Sequence, residues 1–143
     1  MVKCYACPVF VGRVIFHGWK AHAEVRETAA CCQILLFPLI REFGGGAVLE
    51  AMALGLVPIV VNYGGPGELV DPRTGFRIPL GDRESIIHDL RQVLEDIAAD
   101  PAMLEPMAKA ARARVLRDFT WQAKAERIIQ IWHEVLARKR SGA

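Results

Sequence analysis

Arg41-Glu42-Phe43-Gly44-Gly45-Gly46-Ala47-Val48-Leu49-Glu50-Ala51-Met52-Ala53 sets two carboxylates eight positions apart around three consecutive glycines. The apolar run Gln33-Ile34-Leu35-Leu36-Phe37-Pro38 before it reads as a strand, and Val48 to Leu54 reads as a helix closed by Gly55. In an α/β sheet such a strand–loop–helix junction lies at the carboxyl edge of the strands, where ligands bind. Glycines let the backbone approach a ligand closely, and the first N–H groups of the next helix form a seat for phosphate. Carboxylates accept hydrogen bonds from hydroxyls. A ligand with both hydroxyls and phosphates, such as a nucleotide sugar, matches this pattern. On this reading Glu42 and Glu50 converge on a single pocket, with amide hydrogens aimed into it.

Outward from this junction, strand-like and helix-like runs alternate. Val11 to Phe16 reads as a strand closed by Gly18, and Ala21 to Cys32 has helical spacing, with Val25, Thr28, Ala29 and Cys32 on one side. Ile34 to Phe37 and Pro58 to Val61 are continuously apolar, as expected of parallel strands covered on both faces. The glycine-rich stretch Asn62 to Gly67 reads as a turn, Glu68 to Val70 as one short helical turn, and Gly75 to Pro79 as a last strand. From there the chain is helical. Asp82 is a candidate N-cap for Ser85 to Ala98, and Asp100-Pro101 has the cap-then-proline form that starts a helix running to about Asp118. Thr120 caps a final helix in which Trp121, Ala125, Ile128, Trp132, Val135 and Leu136 share one face, expected to pack inward. The expected fold is α/β, a Rossmann-like, mostly parallel sheet flanked by helices with a helical C-terminal end, in one domain over residues 1–143.

Composition narrows the function classes. With 143 residues, 52% of them hydrophobic, the chain can build a core. Its formal charge of +2 and scattered basic residues carry no nucleic-acid signature. The densest basic cluster, Arg138-Lys139-Arg140, suits the negative end of a helix dipole. No apolar run reaches the roughly 20 residues needed to cross a bilayer. Cys4 and Cys7 have half of a zinc-site spacing, but Cys31 and Cys32 are adjacent, so neither zinc nor a disulfide is expected. Cys31 and Cys32 are read instead as buried thiols at the end of an apolar helix. Reduced thiols point to the cytoplasm, with peripheral contact at the inner membrane face as an alternative.

The stretch from about Val14 to Val135 resembles the C-terminal nucleotide-sugar-binding domain of the group 1 glycosyltransferases, the large retaining family with the GT-B fold. The matching pieces run in the family's order. They are Val14-Ile15-Phe16-His17-Gly18, Pro38, the Glu-x(7)-Glu motif from Glu42 to Glu50, and its continuation through Ala53, Gly55 and Pro58 to Val60. Gly64-Gly65-Pro66-Gly67-Glu68-Leu69-Val70, Gly75-Phe76 and Phe119-Thr120-Trp121 follow. The resemblance implies transfer of a sugar from a nucleoside diphosphate sugar to an acceptor with retention of configuration, a hexosyltransferase type of enzyme.

Carried over, it makes Glu42 the catalytic-site carboxylate that contacts the donor sugar and Glu50 the clamp on the ribose hydroxyls. The N–H groups of Gly44, Gly45 and Gly46 would cradle the diphosphate and sugar; Gly64 and Gly65, at a strand's carboxyl end, are either turn residues or face the sugar or the acceptor. The loop around Lys20 to His22 lies where the family lodges the nucleotide base. The family's common Glu-Gly-Phe-Gly is replaced by Glu42-Phe43-Gly44-Gly45, which keeps both glutamates in register but shifts the aromatic; aligning on Phe43 instead brings Arg41 into the site, facing phosphate. The chain has no Asp-x-Asp motif of the kind metal-dependent transferases use, so no metal is implied, and no cofactor is expected beside the nucleoside diphosphate sugar as donor substrate.

The family's domain begins with a strand–helix–strand segment bearing an Arg and a Lys that neutralise the diphosphate, and an N-terminal acceptor domain precedes it. Met1 to Phe10 is too short for either. The expectation is a partial domain, inactive alone. It would be completed by a partner chain with the missing domain, or would self-associate through exposed apolar surface on the last helix. A binding or assembly module without catalysis is the alternative. Glu68 suits either a helix-start carboxylate or a ligand contact. His17 and His22 have no carboxylate partner legible in the sequence, and His88 and His133 read as surface residues on helices.

Overall fold

The computed structural model describes residues 14–140. In order, the elements are α1 (His22–Ala29), β1 (Ile34–Phe37), α2 (Gly46–Leu54), β2 (Val57–Val61) and α3 (Gly64–Leu69). Then come β3 (Phe76–Ile78), α4 (Arg83–Ala99), a 3-10 turn (Pro101–Met103), α5 (Leu104–Asp118) and α6 (Trp121–Arg140). The three strands form one parallel sheet in the order β1-β2-β3. Ile34 to Phe37 pair with Val57 to Val60, and Ile59 to Val61 with Phe76 to Ile78.

Every residue of β2 is buried, because alternate side chains enter cores on opposite faces of the sheet. Val60 packs with Val48 and Met52 of α2, Leu69, Val70, and Ala111 and Val115 of α5. Ile59 packs with Ile78 and Ile97, and Ile86, Leu90 and Val93 of α4 close that side. Two helical layers thus sandwich the sheet, as the continuous apolar runs require.

Local signals hold at the helix ends. The Asp82 carboxylate accepts from the Ser85 N–H at 2.8 Å, and the Asp100 carboxylate from the Ala102 N–H at 3.2 Å. The Thr120 hydroxyl oxygen accepts from the Ala123 N–H at 3.2 Å. Between α3 and α5, Arg114 donates to Asp71 at 2.6 Å and to the Glu68 carbonyl at 3.4 Å, fixing the end of α3.

Four expectations are corrected. Val14, Ile15 and Phe16 are not a strand, and Ile15 and Phe16 are more than 70% exposed; among the described residues no sheet neighbour reaches them, and an unpaired strand leaves its backbone groups unsatisfied. The rest of that segment, with Cys4 and Cys7, lies outside the described residues. α1 ends at Ala29 and buries no residue, so Cys31 and Cys32 are exposed, their thiols donating to the Glu27 and Thr28 carbonyls. The turn at Gly64 is already helix: glycine disfavours helix locally, but tight packing overrides it, since a Cβ on Gly65 would run into the Phe43 carbonyl oxygen. Finally, the apolar stripe of α6 does not pack inward, and Trp121 is 94% and Trp132 69% exposed. Among the described residues, no helix is long and apolar enough to cross a membrane.

Candidate functional site

The Glu42–Gly46 bend joins the end of β1 to α2. Gly45 has φ +64°, a left-handed conformation that glycine adopts without strain, and a Cβ there would lie 2.8 Å from Leu69 Cδ1. Gly45 therefore has a packing reason to be glycine. Gly44 and Gly46 have none: a Cβ on either would meet no atom within 4 Å. Open backbone of this kind at a helix N-terminus leaves amides accessible to an anion. In the structure an anionic group already uses two of them, since the Gly44 and Gly45 N–H groups each donate to Glu42 Oε1 at 3.3 Å.

The bend rests directly on the start of α3. A Cβ on Gly64 would stand 3.3 Å from the Glu42 carbonyl oxygen, which accounts for the close approach of the two glycine motifs. Around them is an open cavity of about 680 Å³ lined by Ile40, Arg41, Glu42, Phe43, Tyr63, Gly64, Gly65 and Glu68. Arg41 supplies a cation, Glu42 and Glu68 supply acceptors, and Phe43 (98% exposed) and Tyr63 supply aromatic rings.

Glu50 lies elsewhere. It lines a second cavity, of about 230 Å³, between α1 and α2. The walls are built by the same helical spacing on both sides: His22, Val25 and Arg26 from α1 face Glu50, Ala53 and Leu54 from α2. Val25, Ala53 and Leu54 give an apolar lining, and His22 Nε2 lies 3.3 Å from Glu50 Oε2. The expected single pocket for Glu42 and Glu50 is therefore two cavities. Position 50 sits one turn into α2 on the side turned toward α1, while Glu42 folds back onto the bend.

Of the residues expected at the site, the structure brings together Arg41, Glu42, Phe43, Gly64 and Gly65, with Gly44, Gly45 and Gly46 forming the bend, and sets Glu50 apart with His22. Tyr63 and the partnership of His22 with Glu50 were not foreseen. Tyr63 was hidden in a stretch read only as a turn. The His22–Glu50 contact spans 28 positions between two exposed side chains, and no local pattern announces it. Among the described residues, no group of three or more His, Cys, Asp or Glu side chains is arranged to hold a metal ion.

Comparison with known proteins identifies the family. The family model described as glycosyl transferases group 1 matches residues 6–96. Sucrose synthase from Acidithiobacillus caldus is 34% identical over 113 residues, covering 74% of this chain and 14% of that protein. Glycogen synthase from Mycobacterium tuberculosis is 32% identical over 126 residues, covering 87% of this chain and 29% of that protein. The structure of sucrose-phosphate synthase from Thermosynechococcus elongatus superimposes with a TM-score of 0.70 at 30% identity, over 89% of this chain and 31% of that one. The α/β architecture is that of the C-terminal domain of a GT-B enzyme. The chain spans less than a third of the length of each of these proteins. With more than half of its residues inside the matched model, the chain belongs to the group 1 glycosyltransferases.

Proposed function

We propose that this chain is the donor-binding part of a retaining glycosyltransferase, taking a nucleoside diphosphate sugar across the N-terminus of α2. The nucleoside occupies the α1–α2 cavity, where Glu50 accepts hydrogen bonds from the ribose hydroxyls. The diphosphate lies on the amides of the Gly44–Gly46 bend with Arg41 as counter-charge, and the sugar lies between Glu42, Phe43, Gly64 and Gly65. The observation that carries this reading is the bend itself. Gly44 and Gly46 lack a packing reason to be glycine, and the Gly44 and Gly45 N–H groups already donate to a carboxylate.

In this reading a departing diphosphate develops negative charge where the amides of α2 are already oriented, which costs no reorganisation during reaction. Glu42 orients the sugar, and Glu50 holds the nucleotide so that the anomeric carbon faces the acceptor. The acceptor is bound by protein surface outside this chain, so the purified chain is expected to turn over nucleotide sugar negligibly. Its setting is the cytoplasm, or the inner membrane face through the basic end of α6. The test is calorimetric titration with UDP, GDP and ADP sugars. Binding of at least one class is expected; turnover at rates typical of whole family members would contradict the incomplete-site view.

A second reading has its own observation. Trp121, Ile128, Trp132, Val135 and Leu136 of α6 are more than half exposed, an apolar face suited to a partner chain or a second copy. A stable dimer or an obligate partner, with no nucleotide sugar bound, would favour an assembly module.

A further inference from the structure

We infer that His22 is a positioning residue for the ribose of the bound nucleotide, acting through Glu50; this rests on the nucleotide reading given above. His22 opens α1, and that helix start is held by its own side chains: the Ala21 N–H donates to Glu24 Oε2 at 3.0 Å, and Lys20 pairs with Glu24 at 3.6 Å. α1 buries no residue, and it faces α2 across the cavity through Val25, opposite Ala53 and Leu54. The polar contact between the two walls of the cavity is His22 Nε2–Glu50 Oε2 at 3.3 Å.

The pair is a poor stability device, because its side chains are 80% and 65% exposed and exposed pairs contribute little to folding. It is a good orienting device. A glutamate alone samples several rotamers, and fixing its carboxylate before the ligand arrives removes that ordering cost from binding. With the proton on Nε2, His22 donates to Oε2 and leaves Oε1 and the remaining lone pairs to accept from a vicinal diol. Arg26, one turn along α1, is the other charged group lining this cavity, and it offers no acceptor for those hydroxyls.

The experiment measures affinity for a nucleoside diphosphate and for its 2′,3′-dideoxy counterpart, in the wild-type chain, His22→Ala, His22→Gln, Glu50→Gln and the His22→Ala/Glu50→Gln pair. The wild type is expected to prefer the ribose form. His22→Ala should weaken that form about fivefold and leave the dideoxy form and the melting temperature unchanged. His22→Gln, whose amide N–H reaches a similar distance, should recover most of the loss. His22→Ala should add nothing on top of Glu50→Gln. Equal weakening of both ligands by His22→Ala, or no weakening at all, overturns the inference while the Glu50 assignment stands. A wild-type chain that is indifferent to the diol, or to Glu50→Gln, removes the nucleotide reading and this inference with it.

Discussion

Residues Val57 to Val61 of β2 are all buried, whereas α6, with a comparable supply of large apolar side chains, leaves Trp121, Ile128, Trp132, Val135 and Leu136 more than half exposed. β2 is covered because it has strands on both edges and helices on both faces: Val60 packs against α2 and α5, and Ile59 against α4. The start of α6 is anchored, with Thr120 capping it and Lys124 Nζ 4.6 Å from the centre of the Phe119 ring. Continuous apolarity over a short strand implies burial on both sides. A one-sided stripe on a helix says that a face exists and leaves open what covers it.

Substitutions can break this contrast. Met52→Ala, at a fully buried position in the α2 core, should cost about 2–5 kcal/mol in denaturant unfolding. Trp132→Ala, on the exposed stripe, should change monomer stability by no more than about 0.5 kcal/mol. Comparable losses at both sites would show that α6 is packed after all.

A smaller effect separates packing glycines from those proposed to meet the ligand. Gly65→Ala pushes a Cβ into the Phe43 carbonyl and should cost about 1–3 kcal/mol. Gly44→Ala meets no atom within 4 Å, so it should leave stability nearly unchanged and weaken nucleotide-sugar binding. A Gly44→Ala chain that binds like the wild type would take the bend out of the donor site.

The smallest effect is acid sensitivity at the helix caps. Hydrogen bonds from the Ser85 N–H and hydroxyl hold the Asp82 carboxyl below its ordinary value, and the bond from Arg117 does the same for Asp118. A folded value below the unfolded one, about 3.9, means stability that is present above that pH and lost as pH falls through the folded value. The melting temperature of the wild type should therefore exceed that of Asp82→Asn at neutral pH, and the gap should narrow as pH falls below about 4. A gap that stays constant to pH 2 would contradict the assignment of Asp82 as a charged cap.

Much of the fold was legible because its signals are local or continuous. β1 falls on Ile34–Phe37 as read, and the caps at Asp82, Asp100 and Thr120 all form. What escaped depends on neighbours distant in sequence. Val14 to Phe16 have strand composition but no strand to pair with among the described residues, and the helix at Gly64 to Gly67 is one whose Pro66 and Leu69 are packed against Gly45 of the bend. At the site, the glutamates and glycines were readable as residue types at a spacing. The spacing could not reveal that one turn of α2 carries Glu50 round to α1, where His22 meets it. Eight positions of sequence therefore concealed two cavities.

The central claim is that these two cavities serve the two ends of one donor molecule. The most direct test is the affinity of Glu50→Ala and Glu42→Ala for the nucleotide sugar that the wild type binds and for the matching nucleoside diphosphate. Glu50→Ala should weaken both ligands by about tenfold or more, the loss of hydrogen bonds to a charged acceptor. Glu42→Ala should not weaken the nucleoside diphosphate, because it frees the Gly44 and Gly45 N–H groups that Glu42 now occupies, and it should abolish the added affinity due to the sugar. If neither substitution alters binding, or if Glu42→Ala weakens both ligands alike while Glu50→Ala weakens neither, the division of the site is contradicted.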